Sequence, residues 1–246
     1  MTDAVATITL SRPERRNAQT PHTWTWLGRT GADLPGSVRV VVVRGEGPAF
    51  SAGLDRAMFA PDASLGLVAL AAAHPDEASD TIATYQAAFG WLARPDIVSV
   101  AAVHGHAIGA GFQLALACDL RIAADDAQFA MAEPSLGLVP DLGGTKRLVE
   151  LVGYSRAADI CLTGRRVPAD EALRIGLAST ITPPGDLGRV VDATVAALLA
   201  VPRDAAIETK ALLLAASGRS QAEQELAERE AQYRRLRELA HLFDER

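Results

Sequence analysis

Two β-branched runs, residues 38–44 and 97–103, each lead into a segment of small residues. The first is Ala49-Phe50-Ser51-Ala52-Gly53-Leu54-Asp55, reached through the turn Gly45-Glu46-Gly47-Pro48. The second is Gly109-Ala110-Gly111-Phe112-Gln113, reached through Gly105. A strand that stops at glycine and is followed by helical periodicity restricts the chain to an α/β arrangement. Further strands are expected over 5–10, 120–123 and 128–130. Helices are expected over 112–118, 146–152, 156–162, 169–175 and 190–199. Ala60-Pro61-Asp62 reads as a loop and the alanine-rich stretch after it as a helix. Ser220-Gln221-Ala222-Glu223 is a capping-box signature opening a long charged helix toward Leu239. The stripe Leu226, Tyr233, Leu236 and Leu239 on that helix packs either on its own domain or on another subunit.

The 246 residues suit one sizeable folding unit, with 49% apolar and 22% charged side chains. We divide it into a core, 1–190, and a helical C-terminal region, 191–246, which is expected in oligomer contacts. The net charge of −6, with no basic cluster, argues against a nucleic-acid partner. The start, MTDAVATITL, lacks the basic and apolar regions of a signal peptide, and the apolar run 65–73 is too short to span a bilayer. Cys118 and Cys161 stand in apolar runs without metal-like neighbours, so both read as reduced core residues of a cytoplasmic protein.

Small residues at a strand end leave backbone N–H groups open to a ligand, and a helix N-terminus adds unpaired donors and the positive end of its dipole. Two such segments together would make an oxyanion hole. Each taken singly is equally a tight βα turn. A dinucleotide-binding fingerprint fails at its third position, where Leu114 stands.

Taken in order, Ile8-Thr9-Leu10-Ser11-Arg12-Pro13-Glu14-Arg15-Arg16-Asn17-Ala18, the segment 50–55 and the stretch 101–119 resemble the enoyl-CoA hydratase/isomerase (crotonase) superfamily. So do Ala127-Gln128-Phe129, Gly137-Leu138-Val139-Pro140-Asp141-Leu142-Gly143-Gly144-Thr145 and Leu162-Thr163-Gly164. The resemblance implies a spiral of repeated ββα units, a helical C-terminal region, and a homotrimer or dimer of trimers. It implies an acyl-CoA thioester substrate whose oxygen is held by the N–H groups of Leu54 and Ala110. The substrate-binding positions that the resemblance implies are Ala52, Gly53, Asp55, Gly109 and Arg16. Arg12, Arg15 or Arg16 would lie near the CoA phosphates, unless they are simply solvated charge. The family usually has Gly where Ala110 stands, and the added methyl would tighten the acyl pocket. No metal or redox cofactor is implied, because CoA enters as part of the substrate.

Hydratases of this superfamily use two Glu residues. The second matches Glu133, but the first position is Gln113, whose amide has no proton chemistry near neutral pH. A double-bond shift needs less: a carboxylate that removes a proton and returns it at another carbon. Glu133 or Asp141 can do this, and isomerases of the superfamily often carry Asp at the position of Asp141. We therefore expect an enoyl-CoA isomerase with Glu133 and Asp141 shuttling a proton and Gln113 positioning. A single-Glu hydratase and a silent acyl-CoA binder are the alternatives. Asp141 could instead cap the following helix, and Glu133 could sit in a buried ion pair.

Other residues invite functional readings with plainer alternatives. His104 and His106 suggest a metal pair but lack a third ligand, so local packing is expected. Ser51 and Ser135 lack a nucleophile elbow. Trp24 and Trp26 are expected to cover a core edge. Lys210 is expected on a helix surface, with a CoA phosphate as the alternative partner.

Overall fold

The computed structural model describes residues 4–63 and 66–244. Residues 1–3, where a leader was sought, Leu65 in the apolar run, and the last two residues of the helical region lie outside that range. In chain order the elements are β1 (Val5–Leu10), α1 (Pro21–Ala32), β2 (Val40–Gly45), α2 (Leu67–Ala72), α3 (Pro75–Gly90), β3 (Val98–Val103), β4 (His106–Ile108) and α4 (Ala110–Ala117). They continue with β5 (Leu120–Ala124), β6 (Gln128–Ala130), α5 (Gly144–Val152), α6 (Tyr154–Thr163), β7 (Val167–Pro168), α7 (Ala169–Arg174), β8 (Thr180–Thr182), α8 (Leu187–Ala200), α9 (Arg203–Ala215) and α10 (Gln221–Asp244).

Five strands form a parallel sheet in the order β1-β2-β3-β5-β8, with Ile8 opposite Val43, Val43 opposite Ala101 and Ala101 opposite Arg121. Both faces are covered, which is why β2 is an unbroken valine run rather than an alternating one. Val41, Val43, Ala101 and Val103 face the main core, whereas Val40, Val42, Val100 and Ile122 face Leu187 and Val191 of α8. A smaller sheet, β4-β6-β7, pairs β4 with β6 in parallel and β6 with β7 antiparallel. Thus β3-β4-α4 and β5-β6-α5 are successive ββα units, one strand in each sheet, in agreement with the expected spiral.

Helix α1 was not legible in the sequence, since three Thr and two Gly among its twelve residues are poor helix formers. Its N-terminus is fixed by a box in which the Thr20 hydroxyl accepts from Thr23 N–H and the Thr23 hydroxyl accepts from Thr20 N–H. Trp24 and Leu27 bury one face. A Cβ at Gly31 would stand 2.4 Å from the Trp91 ring, so only Gly permits that contact. Trp24 lies in the core, but Trp26, expected beside it, is 51% exposed because it falls on the outer face of α1.

The expected boundary between residues 190 and 191 falls inside α8, a helix packed across β2, β3 and β5. Helix α9 is anchored by Lys210, whose Nζ lies 2.7 Å from Ile97 O and 2.7 Å from Asp119 Oδ2. Lys210 is 8% exposed, which corrects its assignment to a helix surface and leaves it no reach to a CoA phosphate. Glu223 and Ser220 form the expected capping box at the start of α10. That helix meets α9 through buried Ala231 and the Arg234–Glu208 ion pair, while Leu226, Tyr233, Leu236 and Leu239 are each at least half exposed. Among the described residues the stripe is therefore only partly covered by its own chain. Among the described residues no helix is long and apolar enough to cross a membrane.

Candidate active site

The segment 49–55 leaves β2 and joins the edge of the small sheet through a parallel bridge between Ser51 and Ala107. Ser51 N–H donates to His106 O at 2.8 Å, and Ile108 N–H donates to Ser51 O at 3.0 Å. This pairing brings the two glycine segments together. A Cβ at Gly53 would lie 2.4 Å from Ile108 O and 3.4 Å from Ala110 N, and Gly53 also has φ +86°, so a side chain is excluded twice over. At Gly109, φ +51°, an added Cβ would lie 3.2 Å from Glu133 Oε1. Ile108, Gly109 and Ala110 thus run between the first segment and the Glu133 carboxylate.

Most N–H groups here are already engaged. Ala52 donates to Arg16 O, Gly53 to Ser51 Oγ, Asp55 to Gln19 O and Gly109 to Ala130 O. Leu54 N–H donates to no other described residue, and Ala110 N–H, at the first position of α4, has no partner within the helix. Both residues line one cavity of about 560 Å³, together with Glu133 and Asp141. Its remaining wall is largely apolar, from Trp24, Met58, Leu70, Ile82, Tyr85 and Leu142.

Glu133 opens a short 3-10 turn after β6 and is buried. Its Oε1 accepts from Gln113 Nε2 at 2.7 Å, while Oε2 is buried with no hydrogen-bond partner. No cation pairs with it among the described residues, so it belongs to no ion pair. Loss of hydration pushes its carboxyl above the ordinary glutamate range, and the nearby Asp141 charge adds to the rise. Burial likewise raises Asp141. The helix after Asp141, α5, has Gly143 at its N-cap position and no side-chain cap, so Asp141 does not serve as its cap. Gln113 is buried on α4 and uses both ends of its amide. Its Oε1 accepts from Leu142 N–H at 2.9 Å and Gly144 N–H at 3.2 Å, tying Glu133 to the loop that carries Asp141.

The other candidates are placed differently. Asp55 is held below the usual carboxylate range, first by the Ala57 N–H it accepts at 3.0 Å, against a partial offset by burial, and then by Arg12 at 2.9 Å. Arg12 is further committed to Ala18 O, whereas Arg15 and Arg16 are exposed. Ala52 is half-buried with its N–H taken. Ser51 Oγ donates to Asn17 O and accepts from Gln19 and Gly53, which leaves no role as a nucleophile. His104 contacts Gly47 O at 2.8 Å, and burial lowers His106. No cluster of metal-ligating side chains occurs among the described residues. Cys118 is buried, its thiol pushed up to about 12, while Cys161 is half-buried and packs against the main core, its thiol raised by burial and by the Glu133 charge. Sequence reasoning missed Gln19. Its type gives no signal, and its importance arises from partners brought in by folding.

Residues 1–241 match the sequence profile described as enoyl-CoA hydratase/isomerase. A Thermobifida fusca YX protein described as a putative enoyl-CoA hydratase, in complex with acetoacetyl-CoA, is 53% identical with a TM-score of 0.93, over 97% of this chain and 93% of that one. A structure of a probable enoyl-CoA hydratase/isomerase from Mycobacterium abscessus is 33% identical with a TM-score of 0.82, over 95% of this chain and 87% of that one. The probable enoyl-CoA hydratase echA8 of Mycobacterium tuberculosis is 35% identical over 185 residues, covering 74% of this chain and 67% of its own. The whole-length profile match and the shared fold agree with the ordered motifs: this chain belongs to the enoyl-CoA hydratase/isomerase family.

Proposed function

We propose that this protein is an enoyl-CoA isomerase, shifting a carbon–carbon double bond in an acyl-CoA thioester. The observation that carries the reading is the pairing of one proton-active carboxylate, Glu133, with an amide, Gln113, where a second acid would be needed to hydrate efficiently. The Thermobifida fusca relative, crystallised with acetoacetyl-CoA and with CoA, supports an acyl-CoA as ligand.

In this reading the thioester oxygen lies against the N–H groups of Leu54 and Ala110. Glu133 or Asp141 takes a proton from the carbon between the carbonyl and the double bond. The electron pair released spreads through the double bond to the oxygen as a dienolate, which the two N–H groups stabilise by several kcal/mol, about 3–4 per donor. The proton returns at the far end of the former double bond, leaving it conjugated with the carbonyl. Atoms and charge balance without any added reactant. Carboxyls raised toward neutrality suit both halves of the transfer.

Hydration with Glu133 alone is the second reading, favoured by the names of the relatives. Proton NMR with 3-enoyl and 2-enoyl CoA thioesters in deuterated buffer separates the two. Migration of the double bond that is lost in Glu133→Gln or Asp141→Asn supports isomerisation. Water addition to the 2-enoyl thioester establishes a hydratase. Acyl-CoA binding without either change, and without deuterium uptake, leaves a silent binder and refutes both.

A further inference from the structure

Resting on the reading that Leu54 N–H holds the thioester oxygen, we infer that Gln19 is a positioning residue for this donor, and that Trp24 couples it to the wall of the acyl cavity. The backbone of Gln19 brackets Leu54. Gln19 N–H donates to Gly53 O at 2.7 Å, and Asp55 N–H donates to Gln19 O at 2.8 Å. In a planar trans peptide the carbonyl and the N–H point in opposite directions. Holding Gly53 O against Gln19 therefore aims the N–H of Leu54, in the same peptide plane, the other way. The side chain braces the preceding peptide. Gln19 Nε2 donates to Ser51 Oγ at 3.1 Å, and that oxygen in turn accepts Gly53 N–H at 3.2 Å. Main chain and side chain of one residue, itself 1% exposed, thus fix the planes on both sides of Gly53. Gly53 needs this support, since with φ +86° it has no side chain of its own to hold it.

The far end of the Gln19 amide is fixed from the acyl cavity. Trp24 Nε1 donates to Gln19 Oε1 at 2.8 Å, while the indole lines the cavity with Tyr85, the ring centroids 4.8 Å apart. A hydrogen-bonded line therefore runs from the cavity wall through Trp24, Gln19 and Ser51 to the oxyanion segment. An acyl group seated against Trp24 presses on the group that aims the donor. Misplacing such a donor without removing it costs roughly ten- to a hundredfold in transition-state stabilisation.

The test uses acetoacetyl-CoA, whose enolate absorbs in the near ultraviolet, so that the bound ligand reports its own enolisation against pH. CoA alone, having no thioester carbonyl to enolise, serves as the control ligand. Wild type should shift enolisation of the bound ligand to lower pH. Gln19→Leu should move it back by about one pH unit, tenfold less enolate at fixed pH, with CoA affinity unchanged. Trp24→Phe, which keeps a ring but removes the indole N–H, should move it the same way by a smaller amount. If Gln19→Leu does not fold, Trp24→Phe decides. Variants that enolise the ligand as wild type does, or that lose CoA and acetoacetyl-CoA affinity equally, overturn the inference. A wild type that leaves the ligand's enolisation where it is in water instead overturns the reading of Leu54 and Ala110 on which it rests.

Discussion

Glu133 is buried with one oxygen bonded to Gln113 and the other without a partner, and that arrangement has two measurable consequences. Replacing Glu133 with Gln should lower turnover by roughly 10²–10⁴-fold, the usual contribution of a positioned acid–base, read by double-bond migration in NMR. It should also alter the pH dependence of stability. A carboxyl raised on folding favours the native state fully below its unfolded pKa and loses that contribution as pH rises through the folded value. Glu133→Gln should therefore gain melting temperature relative to wild type as pH rises from the ordinary carboxylate range toward neutrality. A pH-independent difference between the two would count against a raised Glu133. Glu133, Asp141 and Gln113 were legible at this scale because their identities carry their chemistry. Gln19 and Trp24 were not, for nothing in their types shows that folding places Ser51 and Gly53 beside them.

Among the elements, strands β1, β2, β3, β5 and β6 and helices α4 to α8 fall close to where hydrophobic pattern and turn residues put them. The failures have a common cause. Helices α1 and α9 are held by tertiary contacts that local pattern does not encode: the fit of Gly31 against Trp91 in one, the buried Lys210–Asp119 pair in the other. Strands β4, β7 and β8 are only two or three residues long, too short to display a period. Lys210→Met should test the anchoring of α9. Removing one partner of a buried pair costs about 3–5 kcal/mol, and the Asp119 carboxylate would keep only its bonds from Ser99 N–H and Ser99 Oγ. Urea unfolding should show this loss, and a change within 0.5 kcal/mol would mean that the pair is solvated.

For the whole molecule, the exposed stripe on α10, with Tyr233 at 63% and Leu236 at 53%, leaves apolar surface that a monomer has no means of covering. We propose that a homotrimer or a dimer of trimers covers it. Sedimentation velocity should give three or six times the 25.9 kDa of the chain, and Tyr233→Glu with Leu236→Glu should release smaller species. A wild-type monomer at micromolar concentration would exclude this. The layered α/β architecture and its ββα repeat were legible from the ordered motifs, whereas the packing of α8 across the first sheet was not, because it joins residues far apart in sequence.

The clamp made by Gln113 also bears on how such a chain can change over generations. Gln and Glu codons differ by one base, so a second acid lies one point mutation away. That mutation would set a carboxylate where an amide nitrogen now sits 2.7 Å from Glu133. Two carboxylates that close cannot both ionise, and the pair would be obliged to share a proton. The backbone beside it is less free to change, because Gly53 admits no side chain against Ile108 O. A change of reaction by this route would therefore be written first in the side chain at 113, where one base converts an amide that positions Glu133 into a second acid.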